Sequence, residues 1–370
     1  MTPSSTLNQR PIPQQRDQAI RPATADYRVR AVARFDACAA RGGGEVQMSS
    51  TIAALGAADV DARAWRPWDD DEVRAGDVVH FFGSRPEFVP LVDAMRRRGA
   101  KTVLSTIAWF DWRNAWREPQ SLAARVSATA RYAIRSTFPS IRSWRRRLYH
   151  GVDLLLPNSQ AEAEQVMRLF QVPPERIRVV PNGVEQHFAA ADADLARRRI
   201  GSDPFVLCVG RIEPRKNQLS LIRALQRSGL KLAIIGAVAP GHDRYFENCR
   251  LAADENVRFL GHVDRNDPLL ASAYAACQCL ALTSWYETPS LAALEAAMTG
   301  TPLVLPSGGC AREYFGSLAT YVDPYDHAEI RRAVIRAAGQ SRSRELAELV
   351  RVQFTWQAVA DATKAAYESL

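Results

Sequence analysis

Short apolar runs alternate with stretches of helical period along most of the chain. A run of Val, Ala and Arg at residues 27–34 predicts a strand, and a glycine loop at residues 42–44 follows it. Met48, Ile52 and Leu55 then recur at helical spacing, which predicts one face of a helix. Further strands are predicted in this half at residues 60–65, 77–83, 102–107 and 152–156. Strands that alternate with helices indicate a parallel sheet with helices on both faces.

The second half repeats this architecture without repeating the sequence. Its predicted strands are residues 204–209, 232–235, 257–260, 279–282 and 303–305. A last helix is predicted from Trp356 onward. We therefore expect an α/β fold of two doubly wound units, residues 26–182 and 183–352, and a final segment at 353–370. Residues 1–25 are polar and rich in Pro and Gln, so we expect them to form a disordered leader.

Composition and cysteine use indicate a globular protein of a reducing compartment. The chain is 47% hydrophobic and 24% charged, and no apolar run approaches the roughly 18 residues of a membrane span. The six cysteines are scattered, mostly in apolar runs, as expected for buried thiols in the cytoplasm. Cys277 and Cys279 have no second pair beside them, which argues against a zinc site, and no metal is expected.

The positive charge is concentrated in the first part of the chain. The net charge is +8; residues 1–150 hold 24 Lys and Arg against 15 Asp and Glu, and residues 151–370 hold 24 against 25. Residues 119–147 contain no acid, and aromatic and aliphatic side chains lie between their seven arginines, Arg125, Arg131, Arg135, Arg142, Arg145, Arg146 and Arg147. Such a stretch fits an anionic membrane interface, nucleic acid phosphates or a solvated helix face. Pro139 predicts a break into two helices.

Two carboxylates near the start of residues 284–313, Glu287 and Glu295, have seven residues between them. Pro289 favours a helix that starts between the two, with Thr288 as its cap. The N-terminus of a helix after a loop is suited to bind anions, because its free N–H groups and its dipole point at the ligand. A carboxylate beside such an anion is suited to accept hydrogen bonds from hydroxyls. The alternative is two solvated glutamates without a function.

Ligands of a doubly wound sheet bind at the carboxyl ends of its strands. In the first half this rule selects the glycine loop, the region after His80 and residues 105–111, and His80 itself could contact a ligand. In the second half it selects residues 210–217, where Arg211 and Lys216 are suited to meet a diphosphate. His80 could instead be a satisfied histidine near a strand end, and the basic loop could serve solubility. The G-x-G-x-x-G fingerprint is absent, which argues against a nicotinamide cofactor.

Four motifs, in this order, resemble the retaining glycosyltransferases of family 4, the group 1 glycosyl transferases. They are the glycine loop with Glu45, Pro-Asn-Gly-Val at residues 181–184, Gly210-Arg211 with Lys216-Asn217, and Glu287 with Glu295. The resemblance covers about residues 27–370, and its motifs are more specific in the second half. It implies the GT-B fold, in which two Rossmann-like domains face each other across a cleft and the final helix crosses back to the first domain.

The resemblance also implies roles for individual residues. Arg211 and Lys216 would bind the diphosphate of the donor and neutralise the leaving group, and Glu287 would accept hydrogen bonds from the transferred sugar. Glu295 would hold the ribose hydroxyls. The other residues implied on the donor side are Gly43, Gly44, Gly210, Asn217, His262, Val263, Ser290 and Leu291, and those on the acceptor side are Glu45, His80 and Asp111.

Two positions depart from the family pattern. Residues 105–111 contain no histidine where many members carry His-Asp after the fourth strand, so Asp111 is a shifted candidate. Ser290 stands where a glycine is usual. The resemblance therefore specifies the donor side of the cleft better than the acceptor side.

The expected function is a retaining, metal-independent transfer of a sugar from a nucleotide-diphosphate sugar to a glycan or lipid-linked acceptor. It would serve cell-surface polysaccharide or glycolipid synthesis, and no cofactor is expected. The basic first domain would rest on the inner face of the cytoplasmic membrane through residues 125–147, and nucleic acid is not the expected partner. Two alternatives stay open: a sugar-nucleotide epimerase of the same fold, and a non-catalytic protein that binds an anionic surface or nucleic acid.

Overall fold

The computed structural model describes residues 27–35, 42–66, 68, 71–117 and 121–370. The predicted leader, residues 1–25, lies outside the described residues. The described chain forms two parallel sheets, each accompanied by helices, and the loops at their carboxyl ends face one another.

The first sheet has five parallel strands in the order β2-β1-β3-β4-β5. Its strands are β1 (Val29–Val32), β2 (Ala62–Ala64), β3 (Val78–Phe82), β4 (Lys101–Ser105) and β5 (Leu154–Leu155). The helices of this domain are α1 (Gly43–Ala57), α2 (Phe88–Arg97), α3 (Trp112–Arg117), α4 (Leu122–Thr137), α5 (Trp144–Gly151) and α6 (Gln160–Phe170). Strand β3 is buried along its whole length, because helices cover both faces of the sheet.

The second sheet has six parallel strands in the order β11-β10-β9-β6-β7-β8. Its strands are β6 (Phe205–Val209), β7 (Lys231–Ile235), β8 (Val257–Phe259), β9 (Cys279–Ala281), β10 (Leu303–Pro306) and β11 (Thr320–Val322). The accompanying helices are α7 (Asp194–Arg199), α8 (Gln218–Leu225), α9 (Asp243–Ala252), α10 (Pro268–Ala276), α11 (Leu291–Met298), α12 (Ala311–Phe315), α13 (His327–Ala338) and α14 (Arg344–Gln353). The sequence pattern does not predict β11, because this three-residue edge strand is only partly buried.

The last helix, α15 (Trp356–Glu368), packs on the first domain and not on the second. Trp356, Val359 and Ala360 share a hydrophobic cluster with Val29 of β1 and Leu55 of α1. The predicted return of the final helix to the first domain is therefore confirmed.

The two chain segments that connect the domains cross side by side. The N–H of Val184 donates a hydrogen bond of 2.8 Å to the carbonyl of Phe354. Gly183 lies so close to the returning chain that a Cβ at this position would stand 2.8 Å from the backbone nitrogen of Trp356 and 2.9 Å from the carbonyl carbon of Thr355. Only a residue without a side chain fits this crossing.

A second contact joins the domains at the N-terminus of α6. The carboxylate of Glu313 accepts hydrogen bonds of 2.8 Å and 2.6 Å from the N–H groups of Gln160 and Ala161. The hydroxyl of Tyr314 donates to the carbonyl of Asn158 at 2.7 Å. The negative charge of Glu313 is favourable here, since the free amides and the dipole of α6 both attract an anion.

The arginine-rich stretch divides as predicted, because α4 ends before Pro139 and α5 starts after it. Among the described residues, no helix combines the length and the apolar character that a membrane span requires. The five cysteines of the described chain are free and buried, and Cys38 lies outside it.

Replacing Gly183 with alanine should loosen the crossing between the domains. The added methyl group would overlap the backbone of Thr355 and Trp356, and overpacking of this kind costs about 1–3 kcal/mol of the free energy of unfolding. Chemical denaturation measures this loss. Gly56→Ala is the control, since a Cβ there meets nothing within 4 Å and alanine is the better helix former. Equal stability of the two variants would contradict the close crossing.

Candidate functional site

The loops at the carboxyl ends of both sheets enclose a cleft of about 790 Å³, within the range of small-molecule sites. The first domain contributes the glycine loop before α1 and the segment after β4. The second domain contributes the loops after β6, β8 and β9 and the start of α11. Predicted residues that line the cleft are Gly43, Gly44, Gly210, Arg211, Lys216, His262, Val263, Glu287, Ser290, Leu291 and Glu295.

An ion pair between Lys216 and Glu287 lies at the centre of the second domain's wall. The Nζ of Lys216 is 2.7 Å from Oε1 of Glu287, and the hydroxyl of Ser284 donates to the same oxygen. Burial opposes the charge of Glu287, but the nearby Lys216 ammonium and Arg215 guanidinium outweigh it and hold the pKa of this carboxyl below its usual value. Glu287 is therefore a carboxylate at neutral pH and acts as a hydrogen-bond acceptor.

The backbone of Glu287 is fixed by a close approach of two loops. Its carbonyl accepts a 3.0 Å hydrogen bond from the N–H of Cys310, and its N–H donates to the carbonyl of Gly308. Gly309 has a φ of +101°, and a Cβ there would lie 2.1 Å from the carbonyl oxygen of Glu287. A glycine is required at 309 on both grounds, and it brings the loop after β10 against the site.

Two arginines extend the positive wall beside this ion pair. The guanidinium of Arg215 lies 3.1 Å from Glu213 and stands 5.6 Å over the ring of Tyr286. Arg211 also pairs with Glu213, at 3.4 Å, and it approaches the glycine loop of the first domain: a Cβ on Gly42 would lie 3.5 Å from its Cζ. The sequence pattern missed Arg215, although its position next to Lys216 in the same loop is a signal that could have found it.

The helix N-terminus predicted between the two glutamates is α11, and it opens into the cleft. Helix α11 begins at Leu291 with Ser290 as its N-cap, so the prediction of Thr288 as the cap is wrong. The Ser290 side chain makes no capping hydrogen bond, and the first amides of a helix have no partner within it. The arrangement is suited to bind an anion between the helix end and the basic loop.

Glu295 lies about one turn into α11 and is buried. Its carboxylate accepts hydrogen bonds of 2.8 Å from Nε of Arg265 and 2.8 Å from the hydroxyl of Tyr274. Burial raises the pKa of Glu295, and these two partners offset the shift only in part. Arg265 also donates to the Ser50 hydroxyl on α1, so this carboxylate is linked to the first domain. Sequence reasoning found Glu295 but neither of its partners.

Two predicted site residues lie in the interior instead of in the cleft. His80 is buried between β4 and α15, where its ring nitrogens contact the Ser105 hydroxyl at 2.9 Å and the Tyr367 hydroxyl at 2.7 Å. Burial lowers the pKa of His80 to about 3, so it is neutral and structural. Asn217 donates from its amide to the carbonyls of Thr283 and Pro324, both at 3.0 Å. It shapes the basic loop and does not line the cleft, and its assignment to the donor site stays a prediction.

Two residues predicted on the acceptor side also have structural partners. Glu45 pairs with Arg34 at 2.7 Å and accepts a hydrogen bond from the N–H of Gly42, which holds the glycine loop against α1. Asp111 accepts from the N–H of Arg113 at the start of α3. Neither Glu45 nor Asp111 is among the residues that line the cleft.

The acceptor side of the cleft is formed by the segment after β4, and a buried glutamate holds it. Ile107 has a φ of +43°, which is costly for a β-branched residue. The carboxylate of Glu162 on α6 accepts hydrogen bonds from the Thr106 hydroxyl at 2.5 Å, the Ala108 N–H at 2.7 Å and the Asn158 N–H at 2.9 Å. These bonds maintain the strained segment. Glu162 was not among the predicted site residues.

No three His, Cys, Asp or Glu side chains of the described chain lie close enough together to hold a metal ion. The expected independence of metals stays a prediction.

Two family models match the chain in succession. The model named Glycosyltransferase Family 4 matches residues 41–188, and the model named Glycosyl transferases group 1 matches residues 192–348. Two Rossmann-like domains that face each other across a cleft are the architecture of the GT-B glycosyltransferases. Within that class, the chain belongs to the family 4, group 1 glycosyltransferases, which confirms the predicted family.

Curated relatives match part of the chain. A D-inositol 3-phosphate glycosyltransferase of Kribbella flavida is 31% identical over 247 residues, which cover 60% of this chain and 58% of that protein. A protein of the same name from Stackebrandtia nassauensis is 31% identical over 239 residues, with coverage of 58% and 54%. The chain thus spans little more than half the length of these relatives.

Solved structures confirm the predicted fold. Sucrose-phosphate synthase from Thermosynechococcus elongatus superposes with a TM-score of 0.69 at 17% identity, covering 92% of this chain and 98% of that one. WaaG, a glycosyltransferase involved in lipopolysaccharide biosynthesis, gives a TM-score of 0.61 at 17% identity, with coverage of 91% and 98%. At such identities the likeness concerns the fold alone.

The protonation of Glu162 should make stability depend on pH. Burial raises its pKa from 4.5 to about 7, against the effect of its hydrogen bonds. Between these two values the unfolded chain loses a proton that the folded chain keeps, so the contribution of Glu162 to stability falls as the pH rises. The whole change is on the order of 3 kcal/mol.

Denaturation of the wild type and of Glu162→Gln across this pH range measures the effect. The free energy of unfolding of the wild type, relative to that of Glu162→Gln, should be greatest below about pH 4.5 and should decrease toward pH 7. The control is Glu164→Gln, on the same helix but exposed. A pH-independent difference for Glu162→Gln would show that the folded protein does not hold the proton.

Proposed function

We propose that the protein is a retaining, metal-independent glycosyltransferase that uses a nucleotide-diphosphate sugar and a glycan or lipid-linked acceptor, in cell-surface polysaccharide or glycolipid synthesis. The observation that carries the proposal is the Lys216–Glu287 pair in a cleft that also contains Arg211 and the start of α11. Membership of the group 1 family supports it. D-inositol 3-phosphate, named in the curated relatives, is one acceptor to test.

Breaking the bond between sugar and diphosphate builds negative charge on the leaving group. Arg211, Lys216 and the first amides of α11 would face that charge in a partly buried site, where fixed cations and dipoles stabilise a transition state more than they do in water. Glu287 would not contact the diphosphate but would accept hydrogen bonds from the sugar hydroxyls. Glu295 would do the same for the ribose, in place of one of its present partners.

Retention would follow from attack on the face that the diphosphate leaves. Glu287 is a poor nucleophile, because Lys216 and the Ser284 hydroxyl already bind its oxygen. Residues 105–111 present no general base to the cleft, since Asp111 is engaged at the start of α3. The leaving diphosphate oxygen is then the group that would take the proton of the acceptor hydroxyl.

A thermal-shift screen over UDP-, GDP- and ADP-sugars tests the proposal first, and donor hydrolysis or transfer tests it second. At least one nucleotide sugar should raise the unfolding temperature, by mass action on the folded state. Glu287→Gln and Lys216→Met should each lower turnover by about a hundredfold or more, as expected for lost electrostatic stabilisation of charge. No shift with any nucleotide sugar would refute the proposal.

Controls separate chemistry from folding. Glu348→Gln and Lys231→Met replace the same residue types at exposed ion pairs, and they should keep full turnover. Because a single substitution leaves its partner charged and buried, the double variant Lys216→Met/Glu287→Gln should fold more stably than either single variant but stay inactive. A product released without any acceptor would instead favour the sugar-nucleotide epimerase.

The surface of α4 supports a membrane-facing location for the first domain. None of the residues of α4 is buried. Leu122, Val126 and Phe138 are 69%, 53% and 62% exposed, and arginines lie between them. Apolar and basic side chains on one exposed helix are suited to the interface of an anionic bilayer. We include this peripheral contact, on the inner face of the cytoplasmic membrane, in the proposed function.

Sedimentation with vesicles tests the membrane contact. Binding should require phosphatidylglycerol in a phosphatidylcholine bilayer, and Arg142→Gln should weaken it about fivefold, since one arginine near an anionic surface contributes about 1 kcal/mol. Phe138→Ser should weaken binding as well, because it removes apolar area. Arg344→Gln, in the second domain, is the control. Vesicle binding could instead depend on charge but not on Phe138, with an equal affinity for nucleic acid. That result would indicate a non-specific basic surface and contradict the membrane contact.

A further inference from the structure

Arg145 is the arginine of the basic stretch that reaches the cleft. It lies on α5 of the first domain and lines the cleft together with residues 107–110. Its guanidinium stands 4.1 Å from the centre of the Trp144 ring and 5.7 Å from that of Phe110. Both distances are within the range of cation–π contacts, so the two rings help to hold the guanidinium in place.

Arg145 has no acidic partner in the part of the chain that the structure describes. Its Nε is buried without a hydrogen-bond partner. The titratable groups that act on it are Tyr149, Tyr286 and Arg131, and none of them is a carboxylic acid. Burial lowers the pKa of this guanidinium, which shows that its surroundings disfavour an unpaired charge. An arginine stays protonated nonetheless, so the charge is left without compensation.

The cations of the opposite wall differ in this respect. Arg211 and Arg215 share Glu213, Lys216 pairs with Glu287, and Arg265 pairs with Glu295, as the ion pairs of the second domain show. Around Arg145 the neighbours add positive charge instead: Arg131 acts on Arg145, and Arg145 acts on Arg135, whose NH1 group is also buried without a hydrogen-bond partner. A ligand of negative charge would therefore be attracted to this wall.

The position of Arg145 relates it to the acceptor. It interacts with Tyr286, which directly precedes Glu287 in the opposite domain. An anion bound by Arg145 would thus lie beside the place where the sugar is transferred, on the side of residues 107–110. The diphosphate of the donor would be bound across the cleft, by Arg211, Lys216 and α11.

We propose that Arg145 binds a phosphate group of the acceptor and so orients the attacking hydroxyl. The inference rests on the proposed function and names the chemical class of its second substrate: a phosphate ester that also carries the accepting hydroxyl. An arginine edge matches two phosphate oxygens, and the contact compensates a charge that the protein itself leaves unpaired. The phosphate belongs either to a small soluble polyol or sugar phosphate or to a lipid headgroup.

Calorimetric titration tests the site. The nucleotide sugar with the largest thermal shift is identified first, and the protein is then saturated with the corresponding nucleoside diphosphate. This saturation keeps small phosphates out of the donor site. Glycerol 3-phosphate should bind at least tenfold more tightly than glycerol. Arg145→Met should abolish this preference, and Arg145→Lys should retain part of it. Arg147→Met, an exposed position on the same helix, should behave as the wild type.

A second arm uses vesicles of phosphatidylcholine with and without phosphatidic acid. Arg145-dependent binding to phosphatidic acid without a response to glycerol 3-phosphate identifies a lipid phosphate, and the reverse identifies a soluble one. If neither probe depends on Arg145, the proposal is wrong. It is also wrong if Arg145→Met weakens nucleotide-sugar binding as strongly as it weakens phosphate binding, because Arg145 would then belong to the donor site.

The thermal shift with the nucleotide sugar distinguishes a failure of this proposal from a failure of the proposed function. An unchanged thermal shift of Arg145→Met with the nucleotide sugar shows that this variant is folded and that the donor site is intact. In that case a failure of the phosphate titration removes the acceptor assignment alone. A wild type that responds to no nucleotide sugar would remove the proposed function itself.

Discussion

The buried ion pair of Lys216 and Glu287 is the constraint to which the rest of the cleft is fitted. A buried ion pair is tolerated only when the structure fixes the positions of both side chains and hydrogen bonds satisfy their remaining donors and acceptors. The loop of Lys216 is shaped by the buried amide of Asn217, and the loop of Glu287 is shaped by the close approach of Gly309. The surrounding residues thus position two side chains that would separate in a looser structure.

The same constraint extends across the cleft through a short series of contacts. The backbone of Glu287 pairs with the loop that contains Gly309, and four residues later Glu313 accepts hydrogen bonds from the N-terminus of α6. One residue beyond those amides, Glu162 holds the strained segment after β4. The donor wall and the acceptor wall are therefore connected by hydrogen bonds and the short backbone segments between them.

The sequence could predict the fold and the donor wall because both depend on local patterns. Apolar runs and helical periods identified the sheets, and the order of Arg211, Lys216, Glu287 and Glu295 identified the family. It could not predict which polar residues face inward. His80 lies in the middle of β3 and is covered by α15, whose Tyr367 is 287 residues further along the chain. Glu162 belongs to the acceptor segment only through tertiary contacts, and no local spacing reveals that.

The return of α15 means that the first domain is discontinuous in the chain. Its hydrophobic layer under β1 is completed by residues that follow the whole second domain, and His80 depends on Tyr367 in the same way. A gene rearrangement that exchanged the second domain for another would have to preserve this terminal helix or leave an apolar face of the first sheet open to water. The unit of inheritance in this architecture is thus the pair of domains, even though each has its own sheet.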